Sequence, residues 1–475
     1  MKSLLALALL VFAHSANADW FDDLREAGSA EDLYRVLYYM PKGGDLHNHL
    51  SGSNFSEWWY ELALAQSERG YRYYTKVRIE NCVPYGGNEF GRAPYYLLFR
   101  NISAQEYAAL SDCEKREYKQ LEDLSEEEQA GWMDSIRLDR PHEGRDEFFG
   151  THWARLNALT NNPWLQAETL YRNMQAFGAE GITYLEPQIS VAGFRDPDGN
   201  LISPEQVVDI IRERLAQKDA LATGVTVRLQ LPILRFLPDA EEILRFTYQF
   251  VHDNSDILVA VNMVGREDND KGYPLRFLET LRELRRQYSG VRLSIHAGEV
   301  DEPNRHVRDT LLLGADRIGH GVNLITDNDT MLLMRHGPYM VEINLISNLL
   351  LQYVNDYSEH PFPEYLRTGI PVALSTDDRG MWESTMTDEF FVAVTEFSLS
   401  WEEVEELNRN SLQYAFVSPQ LKQELLDDFA DRMSKFERSI GKYGLTRLGP
   451  MPETRQFICT RYQLCNEAMQ LGRTD

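Results

Sequence analysis

Eight short apolar runs, each closed by polar residues or glycine, constrain the fold of this chain more than any other feature. They span residues 44–49, 182–188, 227–234, 257–264, 291–297, 317–322, 340–345 and 372–376. Most are near-continuously apolar, as strands buried on both faces must be, because a strand with one wet face alternates. Amphipathic helical stretches separate many of them. Ser203-Pro204-Glu205-Gln206 opens one such helix with an N-cap, a first-turn proline and a capping-box glutamine. Eight strand–helix units in succession predict an α/β fold, a TIM (β/α)8 barrel. Chemistry in such barrels gathers at the C-terminal strand ends, so candidate residues are sought there.

The gap between the first and second runs is far longer than one strand–helix unit, which predicts an insertion over about 54–140. Within it, 71–80 and 94–100 read as strands around a Gly/Asn/Pro loop. Ser103/Glu106, Ser111/Glu114 and Ser125/Glu128 read as capping boxes opening three short helices. The run Glu126-Glu127-Glu128 reads as a solvated helix start, and 146–177 as the ordinary helical layer before the second strand. Residues 1–18 read as a secretory signal: Lys2, an apolar run over 4–13, then Ala16-Asn17-Ala18. That run is half the roughly 20 residues a membrane helix needs. The expected organisation is a signal at 1–18, an N-terminal segment at 19–40, the barrel at 41–440 and a tail at 441–475. The expected location is secreted or periplasmic.

Four cysteines suit an oxidising compartment. They allow three connectivities, and although proximity favours Cys82 with Cys113 and Cys459 with Cys465, sequence does not choose. No CxxC spacing occurs, which argues against a zinc knuckle and against deaminases that hold zinc through a PCxxC element. Lys and Arg total 48 against 74 Asp and Glu, a net charge of −26. That balance argues against nucleic-acid and anionic-membrane partners, which need clustered cations. A hydrophobic content of 43% supplies a large core and excludes disorder as the main reading.

Four strand ends carry the chemistry. His47-Asn48-His49 ends the first strand, and the period of two puts both imidazoles on one face, a metal half-site. The fifth strand ends in His296-Ala297-Gly298-Glu299, the sixth in Gly319-His320-Gly321 and the eighth in Ser375-Thr376-Asp377-Asp378. Barrel closure brings these ends together. His47, His49, His296 and Asp377 then form a three-imidazole, one-carboxylate site suited to zinc with a position left for water. Glu299 falls just past its strand and can approach the reacting centre without joining the metal. Glycines beside His320 allow close approach of backbone or ligand. Asp377 and Asp378, as strand neighbours, should face opposite sides and do different jobs.

HxH near the start, then HAGE, GHG and STDD in this order, resemble the adenosine deaminase family of metal-dependent amidohydrolases. The resemblance runs from Pro41 to about Ala415, with weaker matches at GITYLEPQIS from Gly181, LVAVNMVGRE from Leu258 and ISN from Ile346. The signal segment, MPKG at Met40 and the insertion are similar to the secreted adenosine deaminase growth factors. The resemblance implies one Zn2+ per chain, held by His47, His49, His296 and Asp377. The fourth strand contains no Lys to bridge a second metal. His320 would orient the attacking hydroxide and help take its proton, and Glu299 would protonate the purine ring. Asp378 would bond the five-membered-ring side, and the Gly265 N–H another ring nitrogen. Phe148, Phe149 and Trp153 would wall the base, with ordinary helix packing as the alternative and the favoured one for Trp153.

The implied reaction is hydrolysis of adenosine or deoxyadenosine to inosine or deoxyinosine plus ammonia. The implied partner is a small purine nucleoside, and a homodimer is compatible with the family. Alternatives are a 5′-modified adenosine or other aminopurine, or a signalling or binding protein acting through the insertion. Three positions depart from the family pattern. Ser51, with His49 among the substrate contacts, stands where an Asp usually reaches the 5′-hydroxyl, which admits other 5′ groups. Arg379 replaces Pro, either as a surface residue or reaching an anionic substrate group. Asn344-Leu345 replaces Cys-Pro, with an effect expected on packing only. Glu186, ending the second strand, reads as a structural partner of its neighbours.

Overall fold

The computed structural model describes residues 19–82, 96–269, 271–300 and 303–466. The expected signal at 1–18 and the end of the tail lie outside these residues. Each of the eight apolar runs contains strand, shorter than the run itself. Six strands form one parallel sheet in the order Leu229–Leu234, Leu258–Val264, Arg292–Ala297, Arg317–His320, Met340–Ile343 and Val372–Leu374. Gly44–Asp45, Tyr184–Leu185 and Thr226–Val227 form a second parallel sheet, so the third barrel strand crosses both. Single-residue bridges join them, Gln188 to Gln230 on one side and Asn48 to Asp377 on the other, which closes the ring. Closure removes every sheet edge and leaves all C-terminal strand ends at one mouth.

Strands are this apolar because both faces are covered. Leu231, Ile233, Val261, Met263, Ile295, Ile318, Val341 and Ile343 are all buried. Outer helices include Pro163–Ala179, Pro204–Leu215, Ala240–Asp253, Leu278–Gln287 and Trp401–Gln413. Ser203 and Gln206 form the expected capping box on the second of these. The N-terminal helices Asp19–Ala27 and Ala30–Tyr39 dock beside the last barrel unit, where Trp20 packs edge-on and Phe21 tilted against Trp401. No described helix is long and apolar enough to cross a membrane.

The insertion opens with helix Ser56–Ala65 and carries a three-stranded antiparallel sheet with Tyr73–Lys76 between Asn101–Ser103 and Tyr118–Gln120. The strand expected at 94–100 is therefore displaced to Asn101–Ser103, the segment that Tyr73, Tyr74 and Thr75 pair with; residues 94 and 95 lie outside the described ones. All three Ser-x-x-Glu capping boxes are present, and Glu126 and Glu127 are exposed. Cys82 is bonded to Cys113 and Cys459 to Cys465.

The stretch before the second strand is not one regular helical layer. Arg145–Glu147, a π turn at Phe148–His152, Trp153–Leu156 and a tight turn at Asn157–Asn161 precede the long helix Pro163–Ala179. Asn157, with φ of 30°, breaks the run, and Asn162 caps the long helix by accepting from Trp164 N and Leu165 N. The broken segment lies over the barrel mouth.

Candidate active site

At the C-terminal strand ends, His47, His49, His296 and Asp377 place one ligand atom each within 4.8 Å of one another. His49 Nε2 lies 3.3 Å from both Asp377 Oδ1 and His296 Nε2, and His47 Nε2 is 3.6 Å from Asp377 Oδ1. His47 Nε2 and Asp377 Oδ1 are buried with no hydrogen-bond partner. Leaving such groups unsatisfied is costly, and a cation at the centre satisfies them together. The donor set therefore fits a borderline metal.

Buried side chains behind the ligands fix which ring nitrogen faces the centre. His47 Nδ1–H donates to Glu342 Oε2 at 2.7 Å, so Nε2 points inward with its lone pair. For His296 the chain of contacts is longer. Gln230 Nε2 donates to Leu46 O and to Glu186 Oε2, Gln230 Oε1 accepts from Asn262 Nδ2, and Asn262 Oδ1 accepts from His296 Nδ1 at 2.9 Å. Glu186 also pairs with the buried Arg317 at 2.6 Å, as expected of a structural partner. Burial pushes the His47 imidazole down, but the neighbouring carboxylates of Asp377 and Glu342 outweigh it and hold the ring near 10. A proton and a cation thus compete for the same place.

Backbone conformation makes room for this cluster. His320 and Asp377 both adopt left-handed φ, 63° and 53°, which costs about 1–3 kcal/mol each and persists only where surroundings enforce it. A Cβ on Gly319 would come within 2.6 Å of the His47 ring, so the glycine before His320 is a steric requirement. The expected division between Asp377 and Asp378 by strand alternation is corrected. The strand ends at Leu374, Asp377 turns left-handed, and both carboxylates line one cavity.

That cavity, about 1060 Å³, is also lined by His49, Ser51, Gly265, His296 and Glu299. Phe148 and Phe149 of the broken segment line it, and so does Trp153, for which packing is the favoured expectation and which lies edge-on to His49. Glu299 is buried; burial, then the charges of Asp377 and Glu267, push its carboxyl well above the usual range. Asp378 is raised by burial and by Asp377 beside it. Glu267, not singled out in the sequence, accepts from the backbone N–H of Gly298 and Glu299 and from His306 Nδ1 at 2.8 Å. It fixes the turn carrying Glu299. Arg235 ties the fourth and fifth strand ends by donating to Gly265 O and His296 O.

His320 Nε2 lies 3.8 Å from Glu299 Oε1. Its Nδ1 meets Asn348 Nδ2 at 3.0 Å and Asn344 Nδ2 at 3.2 Å. Asn344 therefore touches a site residue and does more than pack. A backbone donor sets the state of this chain. Phe362 N–H donates to His360 Nδ1, so His360 donates from Nε2 to Asn348 Oδ1, which turns the Asn348 amide N–H towards His320 Nδ1. His320 then presents Nε2–H towards Glu299 and the metal-ligand cluster, so its expected share in taking up the hydroxide's proton is corrected to a donor role.

Arg379 is neither on the surface nor in the cavity. It is buried, pairs with Glu180 at 3.1 Å, bonds Asn173 and lies 3.6 Å over the Phe177 ring. The long helix Pro163–Ala179 and its C-cap supply all three partners, so the side chain turns inward to satisfy Glu180.

The family model for adenosine deaminase matches residues 156–432. An adenosine deaminase of Enterococcus faecalis is 30% identical over 282 residues, 59% of this chain and 80% of the relative. An N6-methyl-AMP deaminase-L of Xenopus laevis is 28% identical over 256 residues, 53% of this chain and 71% of the relative. Among solved structures, a Burkholderia ambifaria amidohydrolase with bound Zn superposes with a TM-score of 0.62 at 17% identity, covering 86% of this chain and 95% of that one. This last likeness bears on the fold.

Proposed function

The chain belongs to the adenosine deaminase family of amidohydrolases, hydrolases of a carbon–nitrogen bond, and from that premise we propose that it deaminates adenosine or deoxyadenosine to inosine or deoxyinosine with release of ammonia. The observation carrying this reading is the cavity floor, where four metal-ligating atoms converge beside buried Glu299 and Asp378. Zinc held by His47, His49, His296 and Asp377 would lower the pKa of water from about 16 towards 7. The imidazole-rich donor set supports zinc.

Adenine offers acceptor nitrogens at N1, N3 and N7, and three donors of this chain can meet them. Glu299, kept protonated by burial, delivers a proton to N1, which makes the amino-bearing carbon electrophilic. Gly265 offers its N–H to N3 and Asp378 its carboxyl proton to N7. Gly265 has a φ of 97°, and a Cβ there would come within 2.6 Å of the Phe236 ring, so backbone and packing both call for glycine at this donor. His320 donates from Nε2 to orient the attacking oxygen. Phe149 and Trp153 exclude water from the base.

The cavity lining supports a nucleoside over a nucleotide. Apart from the histidines, the one cation lining it among the described residues is Arg266, already bonded to Asp146 and Asp268, while Asp239 and Glu242 line the same space. Among the described residues a phosphate there would meet no free counter-charge. The apparent leader at 1–18 and the two disulfides support a secreted or periplasmic location and the growth-factor-type subfamily. The test is ammonia release by zinc-replete protein from adenosine, deoxyadenosine, adenine and AMP. Turnover of the nucleosides at least about tenfold above AMP is expected, and turnover of AMP alone would overturn the reading.

A further inference from the structure

Gln188 follows the second barrel strand and is tied to the first strand's end, its N–H donating to Asn48 O at 2.8 Å and its carbonyl accepting from Leu50 N at 3.0 Å, and it bridges to Gln230 on the third. The side chain is 3% exposed and lines the cavity beside His49 and Ser51. Neither its Oε1 nor its Nε2 has a hydrogen-bond partner. A buried amide with both ends unmet, in the wall of a ligand cavity, is poised for a ligand that offers one donor and one acceptor together. Ser51 beside it donates to Gln166 Oε1 at a long 3.4 Å, and Gln166 Nε2 is likewise buried without a partner.

The order of strands around the barrel says which part of the ligand arrives there, given the proposed deaminase reading on which this inference rests. Glu299 follows the fifth strand and takes N1, Gly265 follows the fourth and takes N3, and Asp378 follows the eighth and takes N7. The glycosidic nitrogen N9 lies between N3 and N7 on the purine perimeter. The sugar must then leave the base along the arc from the fourth strand to the eighth that passes the third, second and first. Gln188 and Ser51 stand at the ends of the second and first strands on that arc, and Pro232 and Leu234 on the third. We propose that Gln188 is a specificity-determining residue that hydrogen-bonds the vicinal 2′,3′-diol of the substrate's ribose, and that the enzyme therefore favours ribonucleosides over 2′-deoxyribonucleosides. A carboxamide carries its donor and acceptor on neighbouring atoms. In a cis-diol one hydroxyl can donate while the next accepts, so the two edges are complementary.

The test compares zinc-loaded wild type with Gln188→Leu, a change of similar volume that removes both unmet polar atoms. The readouts are kcat/KM for adenosine and 2′-deoxyadenosine, the dissociation constants of inosine and 2′-deoxyinosine, zinc stoichiometry and the thermal midpoint. Wild type should prefer adenosine by about tenfold or more. The variant should lose about 10- to 100-fold with adenosine and inosine, and the loss should be smaller by at least about threefold with the deoxy compounds, which keep only the 3′-hydroxyl for this amide, so the preference narrows. Zinc content should hold, and the midpoint should not fall. Equal losses with both sugars, no loss with either, or a wild type indifferent to the 2′-hydroxyl would each overturn the assignment. Failure of zinc-loaded wild type to deaminate any nucleoside would overturn the deaminase reading and this inference with it.

Discussion

Replacing Glu342 with Gln tests whether the buried layer behind the metal ligands sets their chemistry. Glu342 is fully buried, accepts from His47 Nδ1 at 2.7 Å and from Ser294 Oγ at 3.0 Å, and pairs with Arg317 Nε at 2.6 Å. A carboxylate serves both sides because one oxygen accepts from His47 while the charge on the other balances Arg317. An amide cannot. If its oxygen faces His47, its NH2 confronts the Arg317 guanidinium. If its oxygen faces Arg317, its NH2 confronts His47 Nδ1 and drives the ring proton to Nε2, where the metal must bind. Loss of such an outer partner weakens metal binding by about 10- to 100-fold, which is about 1.4–2.8 kcal/mol. The buried Arg317 keeps Glu186, so the metal-free protein should lose about 1.5–3 kcal/mol, the worth of one hydrogen bond to a charged group. Competition with a chromophoric chelator gives the zinc affinity, and denaturant unfolding of metal-free protein gives the stability. Stability lost with zinc affinity unchanged would mean that Glu342 serves Arg317 alone, and the wiring argument would fail.

Glu299→Gln should lower kcat by about 10²–10⁴-fold, the usual worth of a general acid, with zinc stoichiometry unchanged; a rate within tenfold of wild type would remove the proton-donor role. His360 gives a pH dependence. Burial lowers its folded pKa from 6.5 to about 3, so the unfolded chain takes up the proton first and the stability this neutral ring contributes is present above 6.5 and lost as pH falls towards 3. Relative to His360→Gln, metal-free wild type should lose about 1.4 kcal/mol per pH unit below 6.5 in denaturant unfolding, and parallel curves between pH 7.5 and 5 would contradict this. Arg379→Met removes the buried counter-charge of Glu180, which keeps its Thr387 donors, and should cost about 3–5 kcal/mol without changing KM in the folded fraction; intact stability with a raised KM would restore the substrate-contact alternative.

The barrel and its reactive strand ends were legible because each carries a strong local signal. A strand covered on both faces has no place for alternation, so runs such as residues 257–264 announce themselves, and His or Asp just beyond them can face only the mouth. The three Ser-x-x-Glu boxes were legible for a similar reason, since a cap is satisfied within four residues. The strand at Asn101–Ser103 was misplaced because its pairing with Tyr73–Lys76 is set across the chain and not by its own composition.

Arg379, Asn344 and Gln188 show what local reading misses. An arginine reads as surface until a distant Glu180 and Phe177 claim it, and Asn344 reads as packing until His320 turns left-handed towards it. Yet a signal existed. Gln230, Asn262 and Glu342 are polar residues inside strands that are otherwise apolar on both sides. A polar group so placed must be paired, and the nearest unpaired groups at such depth are the ring nitrogens of histidines at the strand ends. The physical rule that makes strands apolar therefore also marks its exceptions as the layer that orients the metal ligands, and Glu342→Gln perturbs one of those exceptions while leaving every ligand in place.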